Sequence, residues 1–479
     1  MQNTSKLQSE IYQLFQVERL KSSKLNASNL QSTFAYSINY DYLRRKYLSM
    51  EYFSRTADQY LADLLDAFGA VLIEGPKWCG KTTTAEQKAK SVIQLQDTDR
   101  RDEYLATAMA KPSLLLEGEV PRLIDEWQDI PVLWDAVRTL VDKRREPGQF
   151  ILTGSNKVDK KKTHHSGTGR ITKMKMLPMS LWESRESNGE ISLSELFNNP
   201  DYDIDGRLSD MSVEDLIFAA CRGGWPASLF SRTPAAQLMI ARNLLKSICS
   251  EDISRIDDIQ RNEKLAQKIL QSYARNISTL AKSTVILGDV TANDNIECSR
   301  TTFDEYVSAL ERLFIIQDVD AWCPAIRSKT VIRSAPKRSF CDPSIAIAAL
   351  GLTPDALKTQ LKTFGFIYEQ MCIRDLKAYT IDMDSHISYY RDRYGLEADI
   401  VLHLPDGRYA LIECKLGSRE VEEGAKHLLE LKRLIREKNQ AETQMPIREP
   451  DLLIVLTGGK IAFTRPDGVK VIPLATLKT

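Results

Sequence analysis

One stretch of eight residues has the composition of a phosphate-binding loop. It matches the pattern Gly-x-x-x-x-Gly-Lys-[Ser/Thr] in full, and its residues are Gly75, Pro76, Lys77, Trp78, Cys79, Gly80, Lys81 and Thr82. The glycines permit a tight loop whose backbone N–H groups can surround phosphate oxygens. The Lys81 ammonium can reach the β- and γ-phosphates, and the Thr82 hydroxyl can ligate Mg²⁺. With Thr83, the next residue, added to the nucleotide-binding set, the pattern predicts an ATP site that also holds Mg²⁺.

The flanks of this loop support the same interpretation. The apolar run Ala70–Ile73 directly precedes it and reads as a strand, and Thr82–Lys90 reads as a helix. Such a helix directs its N-terminus, with its partial positive charge, at the bound anion. A coincidental glycine-rich turn is the alternative, and it does not explain the strand and helix on either side.

A pair of acids supplies the second half of a nucleotide site. Asp125 and Glu126 follow the short apolar pair Leu123–Ile124 and lie 44 residues beyond Lys81. Taken alone, two acids after an apolar pair are common. In this position, before another strand, they predict that Asp125 holds the metal, often through water, and that Glu126 polarises the attacking water.

Two further positions are candidates around the γ-phosphate. The run Gln149–Thr153 reads as a strand that leads into Gly154, Ser155 and Asn156, so Ser155 or Asn156 can sense the γ-phosphate, although a turn with local hydrogen bonds explains them equally well. Arg170 ends a glycine-containing loop and can act as an arginine finger, in cis or from a neighbouring subunit. Such a finger typically contributes about 10³–10⁵ in rate. A solvated arginine is the competing interpretation.

A possible second site lies near the C-terminus. Asp399 precedes Glu413 and Lys415, an Asp…Glu-x-Lys arrangement that metal-dependent phosphodiesterases use. Asp399 and Glu413 would bind Mg²⁺, Lys415 would orient or activate water, and Glu369 on a preceding helix would add a carboxylate. A surface strand with salt bridges is the alternative.

The local pattern around this triad predicts a β-hairpin. Its strands are residues 399–404 and 409–413, and the turn is Pro405-Asp406-Gly407. Alternation places Leu411, Glu413 and Lys415 on one face and Ala410 with Ile412 on the other. A second Glu-x-Lys triplet, at residues 86–88, lacks this context.

Composition sets the broad class of the protein. The chain has 479 residues, is 43% hydrophobic and carries 65 basic and 65 acidic residues, so its net charge neither supports nor excludes a nucleic-acid partner. Locally, Lys157–Lys175 is basic and includes Lys160, Lys161 and Lys162, whereas Glu183–Asp215 is acidic. The adjacent pair His164-His165 reads as a surface loop. No apolar run approaches the roughly 18 residues of a membrane helix.

The cysteines and the N-terminal residues indicate the cellular compartment of the protein. Eight cysteines occur without any Cys-x-x-Cys, so a zinc ribbon or a disulfide framework is not expected. The polar N-terminal residues lack the apolar core of a signal peptide. We therefore expect a cytoplasmic protein with no membrane association.

The order of elements predicts an α/β multidomain protein. Short apolar runs alternate with helical stretches after residue 70, which predicts a parallel sheet. Helical periodicity then dominates, for example in Phe303–Leu310, a helix that Thr301 or Thr302 could cap. The strand-like run Phe314–Ile316 follows and suggests a winged helix. The expected divisions are a helical segment at 1–50, a nucleotide-binding domain at 51–197, a helical domain at 198–345 and an α/β domain at 346–479.

Six strings occur in this order along the chain: GPKWCGKTTTA, RLIDEWQDIP, GQFILTGS, HSGTGR, MSLWES and GGWPA. Together they resemble a widespread prokaryotic family of AAA-type ATP-binding proteins whose C-terminal domain is of unknown function. The resemblance spans about residues 40–479. It implies an AAA-type P-loop domain, a winged-helix-like middle and a C-terminal domain with a restriction-endonuclease-like core.

The resemblance also carries roles to particular residues. Lys81 and Thr82 match the phosphate and magnesium contacts, and Asp125 and Glu126 match the metal-binding and hydrolytic acids. Arg170 falls at the family's Gly-Arg, which implies the arginine-finger role. The C-terminal residues Asp399, Glu413 and Lys415 resemble a nuclease-type triad.

Three functions follow as hypotheses. The first is an ATP-driven enzyme that hydrolyses Mg-ATP and controls a nuclease-like domain acting on nucleic acid, DNA before RNA. The second is an ATP-operated switch that binds nucleic acid or protein without cutting. The third is a protein-remodelling ATPase that acts on a protein partner. Each leaves open a homo-oligomer, in which Arg170 would act in trans.

Overall fold

The structure, a computed structural model, describes residues 52–157, 165–257, 259–292, 297–322, 335–441 and 446–479. The helical segment predicted at residues 1–50 lies outside these residues. The basic side chains of Lys160, Lys161 and Lys162, and His164, lie outside them as well.

The first sheet is parallel, as the alternating apolar runs predicted, and it has five strands. They are β1 (Ala70–Glu74), β2 (Ser91–Gln94), β3 (Arg122–Asp125), β4 (Phe150–Gly154) and β5 (Ile171–Lys175). The strand order is β2-β3-β4-β1-β5, so β4 separates β1 from β3. The apolar residues of β1 and β4 are fully buried because helices cover both faces of a parallel sheet.

Four helices accompany this sheet: α1 (Ala57–Ala67), α2 (Lys81–Glu86), α3 (Arg101–Ala110) and α4 (Val132–Arg144). Helix α2 ends at Glu86, so the prediction of a helix to Lys90 was wrong. Hydrogen bonds from Gln87 N to the Thr84 carbonyl and from Lys88 N to the Ala85 carbonyl tighten the last turn. The chain thereby leaves the helix in time to begin β2.

A mostly helical region follows. Its elements are β6 (Ile191–Ser192), α5 (Leu193–Asn198), α6 (Val213–Arg222), α7 (Pro226–Leu229), α8 (Pro234–Ser247), α9 (Ile253–Arg255), α10 (Glu263–Arg275), α11 (Ser283–Thr291), α12 (Arg300–Arg312) and α13 (Pro343–Ala349). Ile269, Tyr273 and Leu310 of these helices share one core with Val71 and Ile73 of β1. The helical region therefore packs on one face of the first sheet.

The predicted winged helix is not confirmed. A winged helix needs a small β-hairpin after this helix. The described residues after α12 form only isolated antiparallel bridges there, Ile316 with Phe340 and Val319 with Lys337. The helix cap was also mispredicted. The Ser299 hydroxyl, not Thr301 or Thr302, caps α12 by accepting a hydrogen bond from Thr302 N at 3.0 Å.

The last part of the chain builds a six-stranded mixed sheet. Its elements are α14 (Pro354–Thr359), α15 (Leu361–Tyr379), β7 (His386–Arg391), β8 (Glu397–His403), β9 (Tyr409–Lys415), α16 (Val421–Ala441), β10 (Leu452–Thr457), β11 (Phe463–Thr464), β12 (Lys470–Pro473) and β13 (Leu477–Lys478). Six of the strands form the order β11-β12-β10-β9-β8-β7, while β13 pairs with β6. No helix among the described residues has the length and apolar character needed to cross a membrane.

The predicted hairpin is confirmed, with both strands slightly longer than expected. Strands β8 and β9 pair antiparallel, with Ile400 opposite Ile412. Ala410 and Ile412 pack with α15 and Leu411 packs with α16, as the alternation required. The helical stretch before β7 is divided into α14 and α15, because the backbone of Gln360 leaves the helical region.

Arg55 and Glu183 form a buried ion pair that fixes the start of α1 against the phosphate loop. The Glu183 carboxylate accepts from Arg55 Nε at 2.9 Å and from Ser180 N at 2.7 Å. Other guanidinium nitrogens of Arg55 donate to the carbonyls of Cys79 and Leu177, each at 2.8 Å. Burial alone would raise the pKa of Glu183, but Arg55 and the surrounding N–H groups hold that pKa below its usual value.

Arg374 of α15 forms the centre of a second buried cluster. Its guanidinium pairs with Asp342 at 3.0 Å and with Asp375 at 2.7 Å. Asp375 accepts from Leu181 N at 3.1 Å, and Asp342 accepts from Gly224 N at 2.9 Å. We call Arg55, Glu183, Asp342, Arg374 and Asp375 the junction network. It ties α15 to two of the strings singled out in the sequence, MSLWES and GGWPA.

We expect Glu183→Gln to lower stability by about 3–5 kcal/mol, because it leaves the Arg55 charge buried without its partner. The folded-state pKa of Glu183 lies below the ordinary 4.5, so its contribution is present above that pH and is lost as pH falls through the lower value. The unfolding midpoints of wild type and variant, measured from pH 7 to pH 3.5, should therefore converge in acid. The exposed Glu190→Gln is the control. A constant difference across this range would contradict the assignment.

Candidate functional site

Three predicted segments meet at one edge of the first sheet. The phosphate loop follows β1, Asp125 ends β3, and Gly154 ends β4. Strand β4 pairs in parallel with both β1 and β3, so the carboxyl ends of all three strands lie side by side. The sheet therefore brings the loop, the two acids and Ser155 together.

Local geometry shows why glycines occupy both ends of the loop. A Cβ at Gly75 would lie 2.1 Å from the Met176 carbonyl oxygen, so only glycine fits there. Gly80 has φ of 100°, in the left-handed region that favours glycine. The Lys81 side chain is buried, and its ammonium donates to the carbonyls of Gly75 and Pro76 at 3.1 and 2.9 Å. The loop thus folds around its own lysine.

The remaining loop residues differ in their surroundings. Trp78 adopts φ of 66° and is half exposed, whereas Cys79 is buried and its carbonyl is held by Arg55. The Lys77 ammonium pairs with Asp252, a buried residue between α8 and α9. Thr83 is exposed on α2. The sequence did not predict the contact with Asp252, which joins the loop to the helical region.

Oxygen ligands suited to Mg²⁺ converge on Asp125. The Thr82 hydroxyl donates to Asp125 Oδ1 at 2.7 Å, and the Thr153 hydroxyl donates to the same oxygen at 2.6 Å. Hydroxyl and carboxylate oxygens are the donor set that Mg²⁺ prefers beside nucleotide phosphates. Thr82 and Asp125, the predicted metal residues at this site, therefore fit the ion.

Glu126 is held in an uncommon conformation beside these residues. Its φ is 54°, and its backbone N–H donates to the Thr153 hydroxyl at 3.0 Å. Its carboxylate accepts from the Ser155 hydroxyl at 2.7 Å and from the Gln128 amide. A left-handed non-glycine residue held by its neighbours often marks a functional position. Ser155 thus contacts the predicted hydrolytic acid, while Asn156 lies one residue further along.

The structure does not bring Arg170 to this site. Arg170 precedes β5, and its carbonyl accepts from Ala70 N at the amino end of β1, so the length of a five-residue strand, roughly 16 Å, separates it from the loop. Its guanidinium pairs with Asp142 at 2.7 Å. Gly167 packs so closely against Trp134 that a side chain would not fit, which explains the glycine in this loop. Action in trans stays a prediction.

The C-terminal candidates lie close together, with an unpredicted lysine among them. Lys415 pairs with Glu413 at 2.9 Å, and Asp399 lies on the neighbouring strand β8. The Lys337 ammonium, 1% exposed, lies 2.7 Å from Glu369 and 3.6 Å from Asp399. We call Glu369, Glu397, Asp399 and Glu413 the acidic cluster.

The acidic cluster does not fit the predicted metal. Among the residues that the structure describes, no group of three or more His, Cys, Asp or Glu side chains is arranged to hold a metal ion. The Lys337 ammonium lies against Glu369 and Asp399, where a metal shared by Glu369, Asp399 and Glu413 would have to lie. Burial raises the pKa of Glu369 to about 8 despite Lys337, and burial likewise raises the pKa of Glu413 to about 8, with Asp399 adding to it.

Burial by itself would lower the pKa of Lys337, but Glu369, Asp399 and Glu397 outweigh it and raise that pKa above its ordinary value. These carboxylates therefore favour the charged form of the lysine. No motif surrounds it in the sequence, and its partners lie 32 to 62 residues away. The sequence around Lys337 therefore carries no local signal for these contacts.

Comparisons with known proteins divide the chain into three matched regions. Residues 67–184 match the family described as AAA domain. Residues 213–356 match a domain of unknown function (DUF8612), and residues 364–477 match another domain of unknown function (DUF4143).

Relatives are similar over most of their length. The chain is 23% identical over 366 residues to the uncharacterized protein Rv2008c of Mycobacterium tuberculosis, covering 74% of this chain and 72% of the relative. The same figures hold for the uncharacterized protein Mb2031c of Mycobacterium bovis. Among solved structures, the Walker-type ATPase paby2304 of Pyrococcus abyssi is similar at 13% identity, with a TM-score of 0.38, covering 63% of this chain and 97% of that one.

The match over residues 67–184 spans the phosphate loop, Asp125 and Glu126 and ends just after β5. It covers the parallel sheet whose carboxyl edge assembles the site. This chain therefore contains an AAA domain, and the predicted nucleotide site lies within it.

Proposed function

We propose that this protein is an Mg²⁺-dependent ATP hydrolase whose nucleotide state acts on its C-terminal α/β part, so that it works as an ATP-operated switch. The observation that carries the proposal is the set of short contacts at the carboxyl edge of the first sheet. Thr82 and Thr153 converge on Asp125, and Ser155 holds Glu126 beside them.

Each residue has a role that follows from its position. Lys81 would exchange its contacts with the loop carbonyls for the charged oxygens of the β- and γ-phosphates. Thr82 and Asp125 would hold Mg²⁺, which when bound offsets phosphate charge. Glu126 would orient the attacking water and accept its proton, and Ser155 keeps that carboxylate in place.

Contacts between the loop and the rest of the chain support the switch. Arg55 binds the Cys79 carbonyl inside the loop and, through Glu183, reaches the segment that is hydrogen-bonded to Asp375 on α15. Lys77 pairs with Asp252 in the helical region. Phosphates that draw Lys77 toward them would weaken this pair. Through these two sets of contacts, a change in the phosphate loop can shift α15 and the helical region.

Lys81→Ala removes the buried ammonium that faces the phosphates. Loss of a buried charged contact of this kind typically costs 2–5 kcal/mol, so we expect ATP affinity to fall by roughly 30-fold or more. Calorimetric titration of Mg-ATP into the full chain would measure this. The control Lys88→Ala, an exposed lysine beyond α2, should bind like wild type. Equal affinity of wild type and Lys81→Ala would contradict the proposal.

Glu126→Gln should separate ATP binding from ATP hydrolysis. The amide keeps the size of the side chain and a hydrogen bond to Ser155 but cannot accept a proton, so we expect hydrolysis to fall by about 10²–10⁴-fold with ATP binding retained. Phosphate release under excess Mg-ATP would measure the rate, with the exposed Glu117→Gln as the control. Hydrolysis at the wild-type rate would exclude Glu126 as the base.

A nuclease is the second candidate function, and we rank DNA before RNA as its substrate. The observation in its favour is the placement of Lys415 beside Glu413, with Asp399 on the paired strand. The acidic cluster as arranged here does not fit a metal, so we derive no cleavage step from it and rank the switch first. A protein partner and a second copy of the chain stay as proposals under either function.

Labelled DNA and RNA, incubated with Mg²⁺ or Mn²⁺ and with or without ATP, would decide between the two functions. For the switch we expect no strand cleavage by wild type. Cleavage that Lys415→Ala abolishes, and that the exposed-lysine control Lys438→Ala keeps, would establish the nuclease instead.

A further inference from the structure

Lys337 supplies a positive charge to three of the four acids in the acidic cluster. Its ammonium lies 2.7 Å from Glu369, 3.3 Å from Glu397 and 3.6 Å from Asp399, and it donates to the Asp399 carbonyl at 3.2 Å. These oxygens come from α15 and β8, while the lysine comes from the segment just before α13. A set of oxygens converging from separate elements on one cation is the arrangement that a divalent metal also requires.

The Lys337 ammonium and a divalent metal ion cannot occupy this position at the same time, for reasons of charge and of space. The lysine side chain is 1% exposed, so solvent does not separate it from the carboxylates. A second cation between the same oxygens would lie within a few ångströms of the ammonium, where low local dielectric makes like charges strongly repel. Taking the lysine away removes the positive charge that Glu369, Glu397 and Asp399 contact, and either protons or another cation must then replace it.

One oxygen of the cluster points independently to a missing ligand. Glu413 is 1% exposed, and its Oε2 pairs with Lys415, but its Oε1 has no hydrogen-bond partner within the described part of the chain. The nearest candidate, His427 Nδ1, is 3.7 Å away, beyond hydrogen-bonding distance, and is itself unsatisfied. Buried polar atoms are rarely left in this state. Lys337 therefore forms ion pairs with Glu369, Glu397 and Asp399, whereas Glu413 Oε1 has no such partner among the described residues.

We propose that Lys337 is a built-in cation that occupies the metal position of the acidic cluster. As folded here the cluster takes no Mg²⁺ or Mn²⁺, and a divalent site of Glu369, Asp399 and Glu413 forms only when Lys337 is withdrawn. The cation that this site would then take is a hard divalent ion bound by carboxylate oxygens.

The segment that carries Lys337 also reaches the nucleotide domain. Four residues further on, Cys341 shares a hydrophobic core with Cys79 of the phosphate loop, and Asp342 belongs to the junction network. In the proposed switch, a nucleotide-driven movement of these packed elements would be what withdraws Lys337. In this respect the inference rests on the proposed switch, whereas the exclusion of metal by Lys337 does not.

The test measures Mn²⁺ binding by the full chain without nucleotide, using the electron paramagnetic resonance signal of free Mn²⁺. We expect Lys337→Met, which keeps side-chain length without charge, to gain one Mn²⁺ site, with affinity about tenfold or more above wild type. The double variant Lys337→Met/Asp399→Asn should lose it. Lys337→Arg, which keeps the charge, should behave like wild type.

Two results would overturn the inference. One is a folded Lys337→Met variant that binds no more Mn²⁺ than wild type, and the other is wild-type binding that Asp399→Asn removes. If Lys337→Met is unfolded in chelator, Mn²⁺ should restore its circular dichroism spectrum, and failure to do so would equally reject the inference. The experiment measures metal binding only. Its outcome therefore tests the role of Lys337 even if the protein neither hydrolyses ATP nor cleaves nucleic acid.

Discussion

The position of the phosphate loop depends on the buried ion pair between Arg55 and Glu183. A lone carboxylate so deeply buried would cost several kcal/mol, and here it is offset by one guanidinium and by N–H groups of Thr56 and Ser180. The same guanidinium binds the Cys79 carbonyl, so neutralising the buried acid also fixes the backbone of the loop. The strand edge supplies the proposed catalytic acids, Asp125 and Glu126, and this ion pair fixes the backbone of the loop that lies beside them.

The chain supplies partners to its clustered acids in two different ways. At the sheet edge, Asp125 is met by the hydroxyls of Thr82 and Thr153, neutral donors that leave its charge available to an incoming cation. In the C-terminal part, Lys337 supplies a full positive charge to the acids around it. The first arrangement is open to Mg-ATP and the second is closed by the protein itself. The contrast explains why one predicted metal site fits and the other does not.

Much of the nucleotide site could be predicted because it depends on local sequence. Parallel strands place whatever follows them at one edge, so Lys81, Asp125 and Ser155 had to meet once their strands were identified. That Arg170 lies away from this edge within its own chain could not be predicted, because β5 was not recognised. Its outward-facing lysines hide the apolar pattern of an edge strand, and a residue before that strand lies at the opposite edge. Lys337 and Asp252 depend on contacts between distant segments, which spacing along the chain does not encode. The hairpin of β8 and β9 could be predicted, whereas the cation beside it could not.

Amide hydrogen exchange of the full chain, with and without Mg-ATP, tests most directly whether nucleotide reaches the C-terminal part. Glu126→Gln would hold the ATP-bound state during labelling. The account predicts that ATP slows exchange in the phosphate loop and also changes it in α15 and in residues 335–342, which carry Lys337 and the junction acid Asp342. Changes confined to residues 67–184 would contradict it, because the nucleotide site would then act on its own domain alone.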